Sequence, residues 1–144
     1  MKFKLKQDFL TPDFYENTQI LGIMAPIKNY TFCWLVNHQL GLHFKLDTSK
    51  QLQLKKKLRN YFFNIYNWNE PMCFLQHYIV QNQYDGEYLL PEYKNMDYIW
   101  VMKGDMVEDD KYQWIINSLK NLSGVQLVIE IAQDQIKNKK NLIF

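Results

Sequence analysis

Apolar residues recur along this chain at two spacings, and the change from one to the other marks its elements. Phe3 and Leu5 alternate with lysines, which predicts a short edge strand guarded by charge, and Thr11-Pro12-Asp13 ends it. The short apolar run Gln19 to Met24 suits a buried strand, broken by Ala25-Pro26. Asn29 can cap a helix running to about Leu40, with Gly41 as its stop. Tyr30, Phe32, Cys33, Trp34, Leu35 and Val36 make that helix nearly apolar all round, which predicts burial on more than one side. Strand-like alternation follows at Leu42, Phe44 and Leu46, and apolar spacing continues through Leu52, Leu54 and Leu58. Tyr61 to Trp68 reads as a strand, Asn69-Glu70-Pro71 as a turn and Met72 to Asn82 as a long strand. Asp85-Gly86 is a hairpin signal, and Tyr88 to Leu90 and Asp97 to Met102 are further strands.

The last third carries the clearest period. Glu108, Asp109 and Asp110 suit a helix amino terminus, where carboxylates favour the macrodipole. Tyr112, Ile115, Ile116 and Leu119 then form one helical face, Ser123-Gly124 stops it, and Val125, Leu127, Ile129 and Ile131 alternate as a half-buried strand. The order strand, helix, several antiparallel strands, helix, strand predicts an α+β fold. Its expected form is a ferredoxin-like antiparallel sheet with an enlarged β-meander and two main helices on one face. No repeat and no Pro/Gly/Ser-rich linker divides the chain, so residues 1–144 read as one domain, with a basic and apolar tail over 135–144 that is free to move.

Composition sharpens this picture in one respect. Aromatic side chains make up 16% of the residues, enough to fill a core and leave rings over for a surface. The net charge of +2, with Arg59 the only arginine, gives no strong electrostatic case for nucleic acid or membrane. No apolar window reaches membrane-spanning length, and the amino terminus lacks the apolar stretch of a signal peptide. Two cysteines, Cys33 and Cys73, are too few for a disulfide framework and read as buried apolar groups. A cytoplasmic location is the resulting expectation.

Candidate chemistry is sparse. His38, His43 and His77 have no metal-ligand spacing, and no Cys-x-x-Cys, HExxH, Walker A or nucleophile-elbow motif occurs, so neither metal nor cofactor is expected. A Cys–His nucleophile pair would need thiols outside apolar runs, where burial makes them inert. Lys55, Lys56, Lys57 and Arg59, followed by Phe62 and Tyr66, form the best RNA candidate, since cations track phosphates and rings stack bases. Alternation puts Tyr61, Phe63 and Ile65 on one strand face and Phe62, Asn64 and Tyr66 on the other, so something must cover each. Lys137, Lys139 and Lys140 before Leu142, Ile143 and Phe144 make a candidate docking tail, unless it folds back on its own domain.

The segment Leu90-Pro91-Glu92-Tyr93-Lys94-Asn95-Met96-Asp97-Tyr98 resembles the signature of the IPExxxVDY family, with Leu90 for Ile and Met96 for Val. The Gly41-Leu42 helix exit and the ending Lys140 to Phe144 are similar too. That family comprises small Bacteroidetes proteins of no assigned function, so the resemblance implies a bacterial cytoplasmic protein and no chemistry. Read physically, Pro91 suits a bend, Glu92 and Asp97 can accept backbone N–H bonds, and Tyr98 packs beneath them. The alternative is a carboxylate pair beside a binding groove.

Together these features predict a non-enzymatic binding or adaptor domain that engages a protein partner, homo-dimerisation included, through a contiguous aromatic patch or an interface of about 1,000 Å² or more. An RNA-associated protein is the first alternative. An ACT-like small-ligand sensor is the second, suggested by the final helix-to-strand unit at Leu122-Ser123-Gly124-Val125 and requiring a pocket near Ala25 to Asn29.

Overall fold

A computed structural model describes residues 15–144. The predicted amino-terminal strand at Phe3 and Leu5 lies outside the described residues. Six strands form one antiparallel sheet in the order β2-β3-β4-β7-β1-β8, and β5 and β6 form a separate hairpin. The strands are β1 (Gln19–Met24), β2 (Lys45–Lys56), β3 (Arg59–Asn69), β4 (Gln76–Gln81), β5 (Gln83–Tyr84), β6 (Glu87–Tyr88), β7 (Tyr98–Lys103) and β8 (Leu127–Glu130). Helix α1 (Asn29–Leu40) joins β1 to β2, and α2 (Asp109–Lys120) joins β7 to β8. No helix among the described residues is long and apolar enough to cross a membrane.

Both faces of the sheet are covered, which answers the question posed by rings on both faces of β3. Tyr66 packs with Leu21, Ile23, Ile79, Trp100 and Met102 in a core that also takes residues of both helices. Tyr61, Phe63 and Ile65 pack with Ile20, Val80, Ile99 and Val101 in a second core. That second core is closed by Leu89, Leu90, Met96, Ile136 and Leu142, so the chain's own loops and carboxyl-terminal segment serve as its lid. At about 25 cal/mol per Å² of apolar surface removed from water, the lid residues are not passive.

Helix α2 forms where its period predicted, with Tyr112, Ile115, Ile116 and Leu119 buried. Helix α1 ends at Gly41, whose φ of 68° allows its N–H to close on the Asn37 carbonyl. The Asn37 side chain then holds Phe44, accepting its N–H at 2.8 Å and donating to its carbonyl at 3.0 Å.

Four expectations need correction. Helix α1 buries one stripe, Phe32, Cys33, Val36 and Leu40, and leaves Tyr30 and Trp34 about three-fifths exposed, at 61% and 60%. Residues 72–75 are a loop: Met72 has φ 62°, and Glu70 closes the loop by donating its N–H to the Leu75 carbonyl. Cys73 in that loop is exposed, whereas Cys33 is buried. In β8 it is Val128 that enters the helix-side core, while Leu127 is exposed. Apolar sequence predicts burial only where a neighbouring element arrives to supply it.

Candidate functional site

The Leu90 to Tyr98 motif is a brace built around Asn82, a fully buried carboxamide at the end of β4. Asn82 donates to the carbonyls of Tyr93 at 3.0 Å and Met96 at 2.8 Å, and accepts the Leu90 N–H at 2.9 Å. Pro91 opens the 3₁₀ turn Pro91–Tyr93, where a missing N–H costs nothing. Glu92 reaches to the carboxyl-terminal segment, accepting from the Asn138 N–H at 3.2 Å and from its Nδ2 at 2.7 Å. Asp97 accepts the Ala25 N–H at 2.8 Å through Oδ2. Tyr98 donates to the Ile27 carbonyl and stacks on Phe32 with ring centroids 4.3 Å apart. Glu92 and Asp97 thus serve different segments and do not form a carboxylate pair.

Asp97 and Tyr98 also line a polar cleft of about 440 Å³ at the start of α1, walled by Pro26, Lys28, Tyr30, Gln81 and Gln83. Burial pushes the Asp97 carboxyl above its ordinary value, and the Ala25 N–H only partly opposes this. Asn29 and Gln81, both in the cleft lining, are joined at 3.2 Å, the Asn29 amide donating to Gln81 Oε1.

At the other end of the sheet lies a buried polar chain. The Trp100 indole N–H donates to His77 Nδ1 at 3.1 Å, and His77 Nε2 lies 3.1 Å from Glu70 Oε2. An indole can only donate, so Nδ1 must be the acceptor and the imidazole proton sits on Nε2, directed at Glu70. Lys111 of α2 donates to the other Glu70 oxygen. Desolvation holds the His77 imidazole below its ordinary value, despite Glu70. Lys111 and His77 hold the Glu70 carboxyl below the usual range against desolvation. Every polar atom of His77 is therefore engaged, and no nitrogen is left to take a proton from a substrate.

Against this chain opens an apolar slot of about 370 Å³, lined by Leu42, Trp68, Trp114 and Ile115 together with the polar groups of Glu70, His77, Asp110 and Lys111. The loop 70–75 and the β7–α2 connection meet beside it. Gly104, at φ 97°, lies against the Phe74 carbonyl so closely that a Cβ would clash with it. That contact brings together two loops whose apolar residues Met72, Phe74 and Met106 are 104%, 81% and 77% exposed. Sequence reasoning missed this surface because Met72 to Leu75 read as strand. The one available signal was Pro71, which cannot donate to a sheet ladder.

The candidate basic and aromatic residues do not all share one exposed surface. Tyr66 is buried in the helix-side core and cannot stack a base, which corrects its assignment to a surface. Lys56 pairs with Glu87 at 3.1 Å, and Arg59 pairs with Asp85, both on the β5–β6 hairpin. Lys55, Lys57 and Phe62 remain exposed. The tail lies on its own sheet: Leu142 is fully buried, Ile143 packs beside it, and Phe144 meets Tyr78 with centroids 4.7 Å apart. Docking of Leu142, Ile143 and Phe144 elsewhere requires their release from this core. Among the described residues no group of His, Cys, Asp and Glu could hold a metal ion.

No protein-family model matches the chain, and no curated protein matches it.

Proposed function

We propose that this chain is a non-catalytic binding domain that engages a protein partner through its apolar end. One observation carries the reading: Trp114 is exposed in the lining of an apolar slot, and Met72, Phe74 and Met106 are exposed on the two loops that meet where Gly104 touches the Phe74 carbonyl. Large exposed apolar patches on a folded domain mark interaction sites, and methionines and tryptophans are the residues that adapt to and anchor partners. The locked His77 argues in the same direction, since the polar chain beneath the slot supports packing and offers no free base. The strand run β8-β1-β7-β4 with its two helical crossovers fits a ferredoxin-like plan, extended by β2 and β3. Membership of the IPExxxVDY family is part of this proposal, supported by the coherent brace that its signature residues make here.

Affinity purification of the tagged full chain from its own cell, with nuclease present, tests the reading. A partner retained by the wild type and lost with Phe74→Glu or Trp114→Glu is the expected result. A strictly monomeric chain whose associations ignore both substitutions would sink it.

A second reading, a small polar ligand, is favoured by the cleft beside Asp97, which falls where a ligand sensor requires one. Ligand-observed NMR of the full chain against neutral and zwitterionic polar compounds checks it. The reading fails if no compound shows a contact that Gln83→Ala removes.

A further inference from the structure

We infer that the slot between Trp68 and Trp114 receives the apolar anchor of a cationic amphipathic segment. This rests on the partner-binding reading above and narrows it by chemistry. Leu42, Trp68, Trp114 and Ile115 give the slot a mainly apolar lining, and the His77 imidazole that shares it is already engaged on both nitrogens, so an apolar group suits it best. Its charged lining, Glu70, Asp110 and Lys111, is negative on balance. Lys111 is the one cation in the lining, and it is committed to Glu70. Asp110 shares the rim, and Glu108 and Asp109 precede it in sequence, all three exposed at the start of α2. Asp105 is exposed beside Met106.

The amino terminus of α2 contributes a positive dipole, but it is equivalent to only about half an elementary charge. Four carboxylates outweigh it, with the Glu70–Lys111 pair neutral. The rim therefore repels nucleic acid and anionic membrane surfaces, and it attracts lysine or arginine flanking an apolar anchor. Met72 and Met106, exposed on the two loops that meet at Gly104, supply unbranched, polarisable side chains for the flanks of such a segment. A segment with apolar residues on one face and cations on the other matches both features at once.

The test uses the full chain and two synthetic sixteen-residue helical peptides, on the order of four turns each. One places Leu and a single Phe on one face and Lys on the other; the control replaces every Lys with Glu. Cys73 lies exposed between Met72 and Phe74, and Cys33 is buried with its thiol pushed up by desolvation, so a maleimide dye reports from the patch alone. Calorimetry of the unlabelled chain repeats each titration.

Saturable binding of the Lys peptide is expected, weakened at least about tenfold by Trp114→Ala and by the double variant Asp109→Lys/Asp110→Lys, the charge effect fading as salt rises. These are exposed positions, and circular dichroism verifies that the variants fold. Equal binding of the Glu peptide, indifference to the charge reversal or no binding of the Lys peptide overturns the proposal. Dimerisation abolished by Trp114→Glu overturns it as well, because the occupant is then a second copy. If neither peptide binds but Trp114→Glu still releases the cellular partner, the cationic chemistry fails and the partner reading stands. If that partner too is indifferent to Trp114→Glu, both fail.

Discussion

Asn82 holds Leu90 in place: its Oδ1 accepts the Leu90 N–H at 2.9 Å while its Nδ2 donates to the Tyr93 and Met96 carbonyls. One buried carboxamide therefore satisfies three backbone groups of the loop that lids the second core. Asn82→Leu leaves the Leu90 N–H and the Met96 carbonyl without this partner away from water, while the Tyr93 carbonyl keeps the Met96 N–H at 2.9 Å, and the expected loss of stability is about 2–4 kcal/mol. Asn82→Asp is instructive beside it. A carboxylate would face two carbonyl oxygens, so this variant should be at least as damaged at neutral pH and should recover part of the loss in acid, where a protonated carboxyl can donate once. Urea unfolding of both variants at two pH values checks this. Equal stability of Asn82→Leu and the wild type would refute the brace.

His77 gives a separate pH signature. Burial holds its imidazole below the ordinary value, so the unfolded chain takes up the proton first. Stability is then full above the usual histidine range and declines as pH falls through it. The Glu70 carboxyl, held low by Lys111 and His77, adds a second loss at lower pH, in the range where an ordinary glutamate protonates. His77→Phe should abolish the first decline and keep no partner for the Trp100 N–H, at a cost of about 1–3 kcal/mol near pH 7.5. Unfolding curves recorded from about pH 8 to about pH 3 separate the two declines. A decline that persists in His77→Phe assigns it to another group.

The contrast between these two sites and helix α2 shows what pattern alone can reveal. The α2 residues Tyr112, Ile115, Ile116 and Leu119 repeat at helical spacing, so their burial is a local property and legible from the chain. Asp85-Gly86 likewise encodes its turn locally, through residues that tolerate positive φ. Asn82 ends an apolar run and looks like any turn asparagine; its role depends on a loop that folds back over it. Glu70 and Lys111 lie 41 positions apart, and Glu92 and Asn138 46 apart, so neither pair has a sequence signature. Met72 and Phe74 depart from their pattern for the converse reason. They are apolar, but no element packs over them, and hydrophobicity does not record what is absent.

Asp97 separates a structural from an electrostatic role within one side chain. Burial raises its folded pKa, so the carboxyl favours the fold most below the ordinary carboxylate range, and that benefit is lost as pH rises through the folded value. At neutral pH its charge is thus a cost, offset in part by the Ala25 N–H. Asp97→Asn keeps an acceptor for that N–H and removes the charge, so it should be no less stable than the wild type at pH 7, with the difference closing in acid. Asp97→Ala loses the acceptor and should fall by about 1 kcal/mol. Calorimetric melting of both variants measures the order. If Asp97→Asn destabilises as much as Asp97→Ala, an ionised carboxylate is required there.

The β2–β3 turn stores strain that substitution can release. Lys57 and Leu58 occupy positive φ at 50° and 65°, the pair of left-handed conformations of a type I′ hairpin. Neither side chain is suited to it, and Leu58 is 97% exposed, so it gains nothing from burial in return. Left-handed backbone costs an ordinary residue on the order of 1 kcal/mol or more. Asn-Gly adopts the same geometry readily. Lys57→Asn/Leu58→Gly is therefore expected to stabilise the chain by about 1 kcal/mol, or roughly 3 °C in melting temperature for a domain of this size. The distance of this turn from the apolar end predicts that peptide binding is unchanged. A lower melting temperature in the double variant would mean that the exposed Leu58 has a partner of its own, and that the turn keeps its strain to present it.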